Sequence, residues 1–367
     1  MANSFIEVKK IARDVLPRLI DNLVMPNLCY TDYSGDYADL GKTIQVKKPI
    51  VFEAQDFTVG STVNAQDITE ASVDVVLDKI ATVDININAL EGALNVSDEK
   101  YLSIIEAAAV ALAEKINEAG VKIAARDITN CLGTSGTTPD GLDDFSAARK
   151  FLNKAKAPLT DRVAIWDVEA DAKFTEIGNL VKVNESGSPR ALREGEIGRV
   201  FGLDNYMTQA IEQAKPSGAG TIAVDGAITK GATDIHVDGV TTDLAVGDTF
   251  TIADNTGIYT VVAAKANESG DQDITVAPAI NANVTDNKAI TLLSPVNNLV
   301  FHKNAIAFVT RPLSAPKGAE SYTTSFNGIS LRVVRDYDIT TKTEKLSVDV
   351  LYNYKVVYPE IAARYLG

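Results

Sequence analysis

SDEKYLSIIEAAAVALAEKINEAGVKIAAR, residues 97–126, is the stretch on which the reading of this chain turns. Ser97 is a good helix N-cap, and Asp98 and Glu99 fall in the first turn, where the helix dipole favours acids. From Tyr101 onward Ala, Leu, Ile, Glu and Lys dominate, with Leu102, Ile105, Ala109, Leu112, Ile116 and Ile123 near one face. About thirty residues at 1.5 Å each make roughly 45 Å of helix. Most globular helices are shorter, so the segment reads as a structural spine rather than an ordinary core helix. The Gly-, Thr-, Ser-, Pro- and Asp-rich run Gly133 to Gly141 ends it as a loop.

N-terminal to the spine the period changes. Ile44 and Val46, then Val73, Val75 and Leu77, then Val83, Ile85 and Ile87 alternate with polar neighbours, the period of half-buried strands. Between them Glu53 to Glu70 is polar and Gly-bearing, so residues 42–89 predict a long two-stranded excursion with a loose tip. An isolated two-stranded ribbon is marginal in water and needs a partner to lie on. Further upstream, apolar residues at 8, 11, 12, 15, 16, 19, 20 and 23 mark an amphipathic helical arm, with Pro17 expected to kink it. Glu7, Lys9, Lys10, Arg13, Asp14, Arg18 and Asp21 interrupt that pattern, which excludes a signal-peptide core or membrane span there.

C-terminal to the spine, Leu142 to Ala214 mixes signals: a helix near Phe145 to Ala155, an apolar strand Arg162 to Trp166, and a second helix opening at Asp167. At Pro216 the texture changes. Six short strands are expected near Thr221–Val224, Asp234–Val237, Thr249–Ala253, Tyr259–Ala263, Ile274–Ala277 and Ala289–Leu293, spaced as in a small barrel or sandwich. Ten acids (Asp225, Asp234, Asp238, Asp243, Asp248, Asp254, Glu268, Asp271, Asp273, Asp286) face three lysines (Lys230, Lys265, Lys288) there. That concentrates half of the chain's −14 net charge in about a fifth of its length, as expected of a separately solvated exterior module. After Pro295 the mixed texture returns, with strands near Leu299–Phe301, Ala305–Thr310, Ser330–Arg335 and Leu346–Val357, so the β unit reads as an insertion into one parent domain.

With 46% hydrophobic and 23% charged residues, 367 residues bury a sizeable core, and a disordered chain is excluded. A net charge of −14 disfavours a protein that grips nucleic acid by neutralising phosphates. Cys29 and Cys131 stand far apart, with no second Cys or His at ligand spacing, which argues against a zinc cluster or a disulfide framework. Only His236 and His302 could act as a histidine base, and neither adjoins a motif serine or cysteine. Gly41-Lys42-Thr43 imitates the end of a phosphate-binding loop, but Asp36 stands where the partner glycine belongs and a strand follows instead of a helix. Asp254-Asn255-Thr256-Gly257 reads as a hairpin turn rather than a calcium loop, Asp143-Asp144 as a helix start, and Trp166 as core. No catalytic, cofactor-binding or metal residue is assigned.

Three stretches carry a resemblance: RVAIWDVEADAKFTEI at 162–177, GEIGRVFGLDNYMTQAI at 195–211, and LRVVRDYDITTKTEKLSVDVLYNYKVVYPEIAARYLG at 331–367. Together with the order of elements they resemble the major capsid (coat) proteins of tailed double-stranded DNA bacteriophages. AVGDTFTIADNTGIYTVV at 245–262 is similar to the Gly-Asp-rich hairpin of the branch with an inserted β-barrel. The resemblance implies an α+β fold: the tailed-phage major capsid protein fold with N-terminal arm, extended β loop, long spine helix, peripheral and axial domains, and an inserted all-β domain. On this chain it implies an N-terminal helical arm over 1–41, an extended β-hairpin loop and return strand over 42–96, and the spine of the peripheral domain over 97–141. The axial domain would take 142–215 and 297–328, the six-stranded insertion 216–296, and the closing peripheral strands 329–367. The implied partners are copies of the chain in pentameric and hexameric capsomers, scaffolding and portal proteins, and enclosed double-stranded DNA bound without sequence specificity, with no membrane and no cofactor. The implied location is the virion, assembled in the bacterial host cytoplasm. Some members crosslink a Lys to an Asn of the adjacent subunit; nothing singles out Lys42, Lys47, Lys48 or Lys79, and crosslinking is not carried over. The alternative with the same fold is the shell of a host-encoded nanocompartment or gene-transfer particle. An adhesin would need secretion signals or repeats, and a hydrolase would depend on His236 or His302.

Overall fold

The computed structural model describes residues 8–31, 43–47, 72–88, 98–182, 190–316, 318–326, 329–340 and 343–367. Helix α1 (Val8–Asn22) contains Pro17 and buries Ile11, Ala12, Val15, Leu16 and Leu19, the stripe expected of the arm. A single turn, α2 (Met25–Leu28), follows. Strands β1 (Thr43–Lys47) and β2 (Ser72–Val76) pair antiparallel, Gln45 opposite Asp74, and β3 (Lys79–Asn88) comes next. Helix α3 (Asp98–Asp127) runs thirty residues without a break. Ala109, Leu112, Ile116 and Ile123 on its expected face are buried. The cap Ser97 and the tip Glu53 to Glu70 lie outside the described residues.

Beyond the spine come β4 (Cys131–Gly133), α4 (Leu142–Lys154), β5 (Arg162–Trp166), α5 (Val168–Thr175), the short α6 (Gly178–Val181) and α7 (Arg190–Glu194), β6 (Arg199–Val200) and β7 (Leu203–Met207). Two acids set the helix starts, as the sequence indicates. Asp144 accepts hydrogen bonds from the backbone N–H of Asp140 and Gly141 at 2.9 Å, and Asp167 accepts from Glu169 N at 3.1 Å and Ala170 N at 3.3 Å. Six strands follow: β8 (Ala219–Val224), β9 (Asp234–Thr242), β10 (Thr249–Ile252), β11 (Ile258–Ala264), β12 (Gln272–Ala277) and β13 (Ile290–Leu292). The chain closes with β14 (Asn297–His302), β15 (Ile306–Arg311), β16 (Glu320–Phe326), β17 (Ile329–Asp338), β18 (Thr343–Val356) and β19 (Ala362–Leu366).

The chain divides into two compact units. The first gathers residues 1–21, 31–112 and 308–357. Its sheet has the order β15-β18-β17-β16, and β3 pairs with β18 over ten residues, Val83 opposite Val348 and Ile85 opposite Leu346. The third alternating run of the excursion is therefore a sheet strand; the described legs of the ribbon are β1 and β2 alone. Phe308, Tyr352 and Tyr354 stack in the core of this unit, Phe308 and Tyr354 with ring centroids 4.7 Å apart. Across the sheet Arg332 donates Nε (3.0 Å) and Nη2 (2.6 Å) to Asp349 Oδ2, and Ser347 Oγ donates to Oδ1 at 2.7 Å.

The second unit gathers residues 22–30, 113–307 and 358–367. It holds two sheets. One has the order β4-β19-β14-β5-β7-β6, and every residue of β5, β14 and β19 is buried. On one face Phe145, Trp166, Phe174 and Tyr365 form an aromatic cluster with centroid separations of 4.4 to 5.6 Å, which places the only tryptophan in core. The other sheet has the order β13-β10-β11-β12-β9-β8. A bridge between Ala223 and Ala289, with Val224 N donating to Lys288 O and Asn287 N to Val224 O, joins its two outer strands, so the six strands close as a barrel and not a sandwich. Sixteen buried side chains, from Ile222 to Ile290 and including Phe250, Tyr259 and Val261, fill the interior. Ala214 N donates to Pro295 O at 2.8 Å, so the chain enters and leaves the barrel side by side.

Two groupings expected from sequence are corrected by the hydrogen bonding. Residues 308–328, assigned to the axial part, lie in the first unit, because β16 pairs along all seven of its residues with its sequence neighbour β17. Residues 358–367, assigned to the periphery, belong to the second unit, where β19 fits between β4 and β14. Ala362 and Ala363 keep that central position narrow, and the fully buried pattern of AARYL marks an interior strand.

Candidate functional site

The residues that could carry chemistry are dispersed. His236 sits on the outside of the barrel, its Nδ1 2.6 Å from Asp273 Oδ1 and its Nε2 3.4 Å from Asp225 Oδ2. Asp273 is shared with Lys265 at 2.8 Å, and that hydrogen bond, with a second from His236, holds the carboxyl below the usual range. His302 is buried in the parent sheet. Its Nδ1 accepts from Asn304 N at 3.2 Å and so caps the 3-10 turn Lys303–Ala305, a structural task. Burial lowers its pKa. Both cysteines are free, and burial pushes the Cys29 thiol far above its ordinary value. Among the described residues no cluster of His, Cys, Asp or Glu is arranged to hold a metal.

Asp254 to Gly257 connects β10 to β11 as a turn, with Asp254 at φ +62°. Asn255 Oδ1 accepts from Gly257 N and from the Tyr259 hydroxyl, both at 2.9 Å, so the loop's side-chain oxygen serves the hairpin itself. Strand β1 begins at Thr43, directly after the glycine-lysine pair that imitates a phosphate loop.

Exposed apolar side chains stand in both units. In the first unit the root of the ribbon is pinned: Asn353 Nδ2 donates to Val76 O at 2.6 Å and to Asp78 Oδ1 at 3.0 Å. Val76 and Ile80 are exposed beside it, and Tyr337 and Ile339 are exposed at the far end of the β17–β18 pair. In the second unit β6 covers only the first residues of β7, and Phe201, Tyr206 and Met207 stand exposed at that edge of the sheet. Sequence reasoning did not find Asp349, Arg332 and Arg364, because charged residues in alternating strands read as solvent-facing. Asp349, between the buried Val348 and Val350, occupies the opposite face of β18, which is also covered.

The described chain thus joins a two-stranded ribbon, a thirty-residue spine helix, two compact units and a closed six-stranded barrel. The family model of the P22 coat protein, gene protein 5, matches residues 243–366, which span part of the barrel and the closing strands. A chain from the structure of Mycobacterium phage Che8 shares the fold, with 18% identity, 94% of this chain and 90% of that chain covered, and a TM-score of 0.54. The cyanophage P-SCSP1u capsid gives 16% identity, coverage of 89% and 84%, and a TM-score of 0.47. A virus-like particle from Pyrococcus furiosus gives 9% identity, 98% coverage of both chains and a TM-score of 0.43. No curated protein sequence matches the chain. Residues 243–366 thus match the coat-protein model, and the chain shares its fold with the Che8 phage chain.

Proposed function

We propose that the chain is the major capsid protein of a tailed bacteriophage, a structural subunit that self-assembles into pentameric and hexameric capsomers of an icosahedral shell around the phage DNA and catalyses no reaction. The observation that carries this reading is the coat-protein match over residues 243–366, set in a fold shared over 94% of the chain. The physics supports it. A two-stranded ribbon that stabilises itself poorly is completed by a neighbouring copy in a closed symmetric shell. The acidic balance of −14 lets packaged DNA slide past the wall instead of adhering to it. Scaffolding and portal proteins are the expected partners during assembly in the host cytoplasm, and the virion is the destination.

By the same reading, 42–96 is the loop that lies over a neighbour, 97–141 the peripheral spine, and 216–296 an inserted module on the exterior. A host-encoded compartment is the other use of this fold; the phage coat-protein match favours the virus. The test is the content of purified particles. Phage-length DNA inside them supports the proposal, and a cargo protein without DNA contradicts it.

A further inference from the structure

Successive side chains of β19 point to opposite faces of its sheet. Tyr365 joins the aromatic cluster, and Arg364, 1% exposed, points the other way, toward the barrel. Its Nη2 donates to Thr260 Oγ1 on β11, and its Nη1 donates to the carbonyl of Gly247, in the turn before β10, at 3.3 Å. The sulfur of Cys131 on β4 lies 3.5 Å from Nη2. These partners include no carboxylate, and Nε is buried without a hydrogen-bond partner. A cation among neutral acceptors is expensive to bury. Burial lowers the guanidinium's pKa, opposed by the neighbouring Cys131 sulfur.

Arg364 is no part of the barrel's own core. The barrel's sixteen-residue core and its closure are its own. Asp248 ties its start together, accepting from Ser217 N at 3.0 Å, Gly218 N at 3.2 Å and Ala245 N at 2.9 Å. What Arg364 adds is attachment, because its fork reaches from the parent sheet to two separate barrel segments. The seat is close: Gly247 has φ +100°, and a Cβ there would meet Arg126 Cα at 3.0 Å. Thr260 Oγ1 also donates to Thr129 O at 3.4 Å, so the same hydroxyl that accepts from Arg364 binds a second residue outside the barrel.

We propose that Arg364 is a latch that docks the barrel on the six-stranded parent sheet, and that releasing it lets the barrel move as a folded body on its two adjacent connections. A releasable barrel gives one subunit two outlines, a consequence that rests on the capsid reading; the docking itself does not.

The test uses the full chain and reads docking without assembly. Cys131, half-buried beneath the latch, is labelled with a maleimide and identified by peptide mapping, which separates it from the buried Cys29. Arg364→Met keeps the length and removes the donors; Arg364→Lys keeps the charge but not the fork; Thr260→Val removes the acceptor on the barrel and serves if Arg364→Met does not fold. Labelling of Cys131 is expected to be about tenfold faster in Arg364→Met, the change that ~1.4 kcal/mol of opening free energy produces, with Thr260→Val faster than wild type and Arg364→Lys between wild type and Met. Hydrogen exchange at Val261 and Ile274 in the barrel should stay slow in all of them. Unchanged labelling in folded Arg364→Met or Thr260→Val overturns the proposal. So does labelling that rises together with barrel exchange, since that is loss of the fold and not release of a latch.

Discussion

Truncating Phe250 to alanine should remove most of the stability of the barrel. Phe250 is fully buried on β10, its ring centroid 5.9 Å from that of Tyr259, within the sixteen-residue core. Deleting such a ring costs about 3–5 kcal/mol, the lost transfer energy plus the cavity left behind. A domain of roughly 80 residues has in total about 4–12 kcal/mol at ~0.05–0.15 kcal/mol per residue. At about 4–8 °C per kcal/mol, Tm should fall by at least ~12 °C. Val262→Ala, at a side chain 43% exposed on β11, should cost no more than ~0.5 kcal/mol. The assay is circular dichroism melting of a fragment spanning residues 216–296, whose ends lie side by side in the chain because Ala214 N, two residues before it, donates to Pro295 O. A random-coil spectrum for the unmutated fragment at low temperature would refute autonomous folding. Equal effects of the two substitutions would refute the assigned core.

Asp349→Ala leaves Arg332 largely buried without its carboxylate and should destabilise the first unit by about 2–4 kcal/mol in urea titration, whereas Glu176→Ala, which breaks an exposed pair with Lys173, should cost under ~0.5 kcal/mol. His302 gives a pH dependence whose sign follows from burial. Its folded pKa is lowered, so the unfolded chain binds the proton first, and the stability it contributes is present above about 6.5 and lost as pH falls below that value. His302→Asn, with an acceptor in place of Nδ1, should flatten the loss of Tm below that pH; an equally steep loss would show that other groups cause it. Cutting residues 53–70 back to a short turn should leave helix content unchanged and abolish or misdirect assembly, measured by circular dichroism and sedimentation; normal shells would contradict the role given to the excursion.

The sequence disclosed elements whose signal is local. The spine was legible from composition and one face, the strand RVAIW from its apolar run, the helix starts at Asp144 and Asp167 from their acids, and the six barrel strands from period-two patterning between turn residues. Partnership was not legible. Nothing local in AARYL says that it lies between β4 and β14, more than sixty residues away from the latter, and nothing in ESYTTSF marks it as a strand rather than a polar loop. Buried polar groups were missed for the same reason. Arg364 and Asp349 read as surface residues until the second layer over their strands is known.

Assembly of this chain tests the capsid proposal most directly. The protein is expressed alone and together with the lysate of infected cells, to supply a scaffolding protein, then separated by sedimentation and imaged by electron microscopy. Closed icosahedral shells built of pentameric and hexameric capsomers are the expected result; a monodisperse monomer under every salt, crowding and scaffold condition would contradict the capsid proposal.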